Sequence, residues 1–198
     1  MKKVTFLLVG IFVFGVSNLV KAQDNDKANH AVKVTVPTVN LVDIEDEKGD
    51  NAGTAEWEWT DDMFGTEAGD FNLEPLEVEE TFYLQYTSIR AKGKTNKITA
   101  GLTVNDIPAA ISLQVKVEKN ASASKKGSTG EGNAAFETIP TSGSINVVTG
   151  IKTGYTGTDK TNGHKLNYQL VIDPTHNDFG DMEADVYDAT ITYTIIEE

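Results

Sequence analysis

"ISLQVKVEK", residues 111 to 119, alternates without a break. Ile111, Leu113, Val115 and Val117 fall on one side, and Ser112, Gln114, Lys116 and Glu118 on the other. Period two is the repeat of a strand, whose successive side chains point to opposite faces. A helix would scatter these four apolar residues around its circumference. The stretch therefore predicts a strand with one face in a core and one in water.

The same rhythm recurs in both directions. Upstream, "TFYLQYTSI" sets Phe82, Leu84 and Tyr86 against Tyr83, Gln85 and Thr87, and "KITAGLTV" gathers Ile98, Ala100, Leu102 and Val104. Downstream, "SINVVTGI" resumes a strand, "KLNYQLVI" aligns Leu166, Tyr168, Leu170 and Ile172, and the terminal "YDATITYTIIEE" aligns Tyr187, Ala189, Ile191, Tyr193 and Ile195. Nearer the start, Val32, Val34 and Val36 alternate up to Pro37 and "VNLVDIE" follows, which reads as two short strands parted by a proline. "GTAEWEWT" places Ala55, Trp57 and Trp59 opposite Glu56 and Glu58.

Between these runs lie turn-forming segments. "ASASKKGSTGEGNAA" from Ala121 is small, polar and glycine-rich and predicts a long exposed loop, and "TGYTGTDKTNGH" predicts a second, carrying Tyr155. No window sustains a helical period; glycines and Pro75 interrupt the acidic stretch "DDMFGTEAGDFNLEPLEVEE". Eight or nine strands with one apolar face each predict an all-β chain folded as an antiparallel immunoglobulin-like β-sandwich over residues 30–198. An open barrel has the same periodicity and competes with it.

Lys2 and Lys3, an apolar run from Val4 to Val16, and Val20 and Ala22 together read as a secretory signal peptide over residues 1–22, cut after Ala22. The run is shorter than the roughly 20 residues a membrane span needs. Residues 23–29 read as a flexible polar lead. These features place the protein outside the cell or on the cell surface, reached through the periplasm, with no membrane insertion after cleavage. Cysteine is absent, which excludes disulfides, thiolate metal sites and a lipoprotein anchor. Removing Lys2, Lys3 and Lys21 takes the net charge from −13 to −16. So acidic a chain lacks the basic stripe that nucleic acid requires.

Nucleophilic catalysis needs a serine or threonine beside a histidine and an orienting carboxylate. The three histidines, His30, His164 and His176, sit in polar or glycine-rich sequence and read as ordinary surface residues. "GSTG" at 127 to 130 lacks the strand-to-helix setting of a nucleophile elbow. Chance carboxylate pairs are unavoidable in so acidic a chain and read as solvated surface. The sequence thus assigns no catalytic, cofactor or metal residue and predicts no enzyme. Calcium is the one candidate ion, because "DIEDEKGD" (Asp43 to Asp50) and "DPTHNDFGDMEAD" (Asp173 to Asp185) are dense in oxygen ligands, although neither has EF-hand spacing.

The signal peptide, the alternating valine strand after it, the lack of cysteine and the final "YDATITYTI" together resemble small secreted surface proteins of Gram-negative bacteria, in pattern the pilin-like and spore-coat-U-like β-sandwich subunits. The final strand also resembles the end of Gram-positive WxL cell-wall domains, with Tyr193-Thr194-Ile195 where that family has its tryptophan-centred motif. The resemblance implies a subunit role in which a terminal strand completes a neighbour's sheet.

Function is therefore expected as a non-enzymatic structural or adhesive cell-surface subunit, self-assembling by strand addition. Val32, Val34 and Val36 are the candidate exchanged strand, set against their being the first strand of the chain's own sandwich, and the partners are the protein itself or other surface proteins. The alternative is a secreted carbohydrate-binding module, with Trp57, Trp59 and Tyr155 as candidate glycan contacts, set against an inward, core-packing role for the tryptophans. Glu197 and Glu198 read as charge that discourages unwanted strand pairing at the tip.

Overall fold

The computed structural model describes residues 31–47, 54–58, 73–78 and 80–198. The chain divides into two compact units, Met1–Thr35 and Val36–Glu198. The described residues of the first, 31–35, form neither strand nor helix. Trp59 and most of the acidic stretch before Leu73 lie outside the described residues.

The second unit is all-β, as the alternation predicts. Its strands are β1 (Val39–Asp46), β2 (Leu76–Glu77), β3 (Phe82–Ile89), β4 (Asn96–Asn105), β5 (Ile111–Val117), β6 (Lys126–Gly132), β7 (Glu137–Thr138), β8 (Ile145–Tyr155), β9 (His164–Ile172) and β10 (Ala189–Glu197). All pairings are antiparallel, and they form one continuous network that does not close into a barrel. One arm runs β10-β4-β8 with β6 on the far side of β8. The other runs β3-β9-β5-β7 with β1 on the outer edge of β3. The arms join where Tyr155 and Gly154 of β8 pair with Thr87 and Ser88 of β3.

Both arms turn their apolar residues into a single core. Ile98 and Ala100 of β4, Val148 and Ile151 of β8 and Tyr193 of β10 share one cluster with Leu84 of β3, Val115 and Val117 of β5 and Leu166 of β9. Two arms facing across one core make a sandwich-like arrangement. Each fully buried aliphatic side chain contributes about 1.5–3 kcal/mol by leaving water.

Three expectations change. The segment expected as a long loop after Ala121 contains β6, which pairs with β8 from Lys126 to Gly132. Glycine makes this possible, because the two backbones approach so closely that a Cβ on Gly127 would stand 2.2 Å from the Thr153 carbonyl oxygen. Tyr155, expected in a loop, is the last residue of β8. Residues 32–36, expected as a short strand, are in no strand at all. One irregularity also escapes the period-two reading: Val147 and Val148 are neighbours and both buried. The β4–β8 register slips around Ile98, which turns both side chains inward.

Candidate functional site

Sheet edges are the first feature with chemical consequence. Among the described residues β10 pairs with β4 alone, β1 with β3 alone and β6 with β8 alone. A strand paired on one side presents unmet N–H and C=O groups on the other. β10 is nine residues long and in register with β4 from Ala189↔Asn105 to Glu197↔Asn96, with one shift at Thr190/Ile191. Its inward residues Ala189, Ile191 and Ile195 are only partly buried, as are Val42 and Ile44 of β1. The two edges lie near one another without pairing.

The valines expected as an exchanged strand are on the surface. Val32 is 75% exposed, Val34 78% and Val36 66%. An isolated exposed valine is ordinary, and these three alternate in sequence with Lys33 and Thr35, which are exposed as well. The terminal glutamates are held by ion pairs, Glu197 with Lys94 at 3.7 Å and Glu198 with Lys97 at 3.6 Å. These pairs fasten the end of β10 to the β3–β4 hairpin.

The candidate glycan contacts are spread apart in role. Trp57 is half-buried against the core, and its indole N–H donates to the Leu76 carbonyl at 3.0 Å. Ala55 packs on the same core while Glu56 and Glu58 are exposed, so the alternation of "AEWE" holds although these residues form no strand. Tyr155 is 42% exposed at the end of β8.

A buried polar cluster that sequence reasoning missed sits at the start of β9. His164 is fully buried rather than on the surface. Its ring stacks on Tyr86 with centroids 5.7 Å apart and an interplanar angle of 14°. Nδ1 lies 2.7 Å from the Glu118 carbonyl oxygen, and Nε2 lies 3.0 Å from both the Thr129 carbonyl oxygen and the Tyr86 hydroxyl. Tyr86 donates its hydroxyl to the same Thr129 carbonyl. Burial pushes the imidazole below its ordinary pKa, against the two carbonyls that favour the charged form, and pushes the Tyr86 phenol up. The cluster joins β3, β6, β9 and the end of β5. Gly163 allows the approach: a Cβ there would fall 2.4 Å from the Leu84 carbonyl oxygen. The imidazole's partners are thus two backbone carbonyls and a phenol, the parts of a packed polar core.

The acidic stretches are partly spent locally. Asp173 Oδ1 accepts the backbone N–H of Thr175 at 2.9 Å and its hydroxyl at 2.6 Å, which lowers the carboxyl's pKa. Among the described residues no three His, Asp or Glu side chains gather as a metal site. None of the described helices is long and apolar enough to cross a membrane. Comparison with family models, with curated proteins and with solved structures gave no match.

Proposed function

We propose that the protein is an exported, non-enzymatic β-sandwich subunit of a cell surface, structural or adhesive, that associates with copies of itself by strand addition. The observation that carries this reading is the presence of complementary parts within one chain: β10 has an edge that pairs with no described strand, and Val32, Val34 and Val36 are exposed valines at period two in the sequence. The sequence of residues 1–22 supports export.

Among the edges β10 suits an incoming strand best. β2 and β7 are two residues each, and β6 carries three glycines in seven residues, which leaves little to pack. β1, the other long edge, is eight residues and carries three carboxylates, Asp43, Glu45 and Asp46, against the single Glu197 of β10. A second β10 is a poorer partner than the valine segment. In an antiparallel β10–β10 pair centred on Tyr193, Glu198 of each copy would stand opposite Asp188 of the other, and like charges directly opposed are destabilising. The segment from Ala31 to Pro37 carries one charge, Lys33, of the opposite sign.

Size-exclusion chromatography with negative-stain microscopy tests the reading. Concentration-dependent assemblies that disappear when Val32, Val34 and Val36 are replaced by threonine, with the fold retained, are expected. A strict monomer at high concentration overturns it. A glycan role at Trp57 has less support, because its ring packs on the core and its N–H is already bonded.

A further inference from the structure

Lysine and arginine gather at one end of the fold. The stretches around the β3–β4, β5–β6 and β8–β9 connections, residues 90–97, 118–126 and 156–165, hold nine Lys and Arg against two Asp and Glu. Strand pairing brings the three together: Lys126 of β6 stands opposite Tyr155, the last residue of β8, and Tyr155 stands opposite Thr87 near the end of β3. Glu131, Glu197 and Glu198 pair with Lys119, Lys94 and Lys97 there, while Lys92, Lys126 and Lys160 are exposed.

The other end is acidic. Residues 105–110 and 173–188, around the β4–β5 and β9–β10 connections, hold seven Asp and Glu, all exposed, and no Lys or Arg. Backbone bonds from Asp173 to Ala110 and from Asp106 to Asp188 join these connections. β9 runs from His164 at the basic end to Ile172 at the acidic one, and its nine residues at about 3.3 Å each hold the two ends about 30 Å apart.

Two copies meeting by like ends would oppose like charges, whereas a head-to-tail contact matches both signs. At an ionic strength of about 0.1 M the Debye length is about 10 Å, so charges facing across a contact attract while the far ends, about 30 Å away, are screened. The same contact aligns the strands. Val39, where the valine segment joins the sandwich, pairs with Ile89 at the basic end, and β10 begins at the acidic end with Ala189 opposite Asn105. A segment leaving the basic end of one copy therefore meets the β10 edge of the next at Ala189 and runs antiparallel to it, with Val36 toward Ala189 and Val32 toward Ile195.

We infer that copies seat head to tail, the basic end of one on the acidic end of the next, and that this contact, which rests on the strand addition proposed above, makes the added strand antiparallel to β10. A heterologous contact between opposite ends propagates as an open chain of copies.

Sedimentation velocity in about 0.1 M and about 1 M salt, where the Debye length falls to about 3 Å, tests this seating. Wild-type assemblies should weaken about tenfold or more at the higher salt. One variant, K92E, K119E, K126E and K160E together, has two acidic ends; a second, D178K, D181K, E183K, D185K and D188K together, has two basic ends. Each alone should be monomeric, and their equimolar mixture should assemble as the wild type does. Assemblies indifferent to salt and to both sets of reversals overturn the head-to-tail contact and leave strand addition standing. A wild-type protein that stays monomeric overturns both. Where a variant fails to fold, the salt response of the wild type decides.

Discussion

The hydroxyls of Tyr168 and Tyr193 stand 2.8 Å apart in the interior, where the two residues are 6% and 8% exposed. β9 and β10 belong to different arms and do not pair, so this bond ties the last strand across the core. Tyr193→Phe orphans the Tyr168 hydroxyl and is expected to cost about 1–3 kcal/mol, whereas Tyr168→Phe with Tyr193→Phe removes both polar groups and should cost less than the two single changes together. Urea unfolding of the three variants measures it. Additive losses would show that the hydroxyls do not act as a pair.

Deleting Ala189 to Glu198 strips β4 of one of its two partners along its whole length, leaving only the β8 pairing, and takes Tyr193 out of the core. The shortened chain is expected to lose its cooperative thermal transition, followed by circular dichroism. A shortened chain that still melts cooperatively would mean that β10 is an accessory strand.

The pH dependence follows from groups of opposite kind. His164 has a folded-state pKa below its ordinary value of about 6.5, so on acidification the unfolded chain takes up a proton that the folded chain refuses. Stability is therefore full above about pH 6.5 and falls below it. Lys125 opposes and Glu131 favours the charged ring. Tyr168 and Tyr193 have raised folded-state pKa values because they are buried, so their contribution is full below about pH 10 and is lost as the unfolded chain ionises above it. Melting temperature should fall on both sides. His164→Gln should flatten the decline from about pH 7 to about pH 5, and an unchanged acid slope in that variant would assign the loss to other groups.

Much of the core was legible in the sequence because alternation is a local signal. Leu113, Val115 and Val117, and Phe82, Leu84 and Tyr86, are buried as their spacing predicts. β6 was hidden because a strand held by backbone bonds between glycines has no side-chain alternation to show. His164 was hidden for a different reason: the sequence around it is polar and glycine-rich, and its burial depends on Thr129 and Glu118, which are distant in sequence. The Asn120 and Asn162 amides, buried without a partner among the described residues, gave no signal at all, since such groups become visible only when their neighbours are in place. That β10 is an edge follows from strand order, which period-two patterning does not encode.

The most direct measurement of strand addition uses the chain's lack of cysteine, which makes any disulfide a report on engineered positions alone. If the valines of one copy turn inward beside β10 of another, Thr35 faces outward next to the exposed row of Thr190, Thr192 and Thr194. Thr35→Cys protein mixed with Thr192→Cys protein under mild oxidation should give a covalent heterodimer, and Thr35→Cys mixed with Ser128→Cys protein, altered on β6, should not. Absence of the first cross-link at every concentration, or equal cross-linking to both positions, would contradict assembly through the β10 edge.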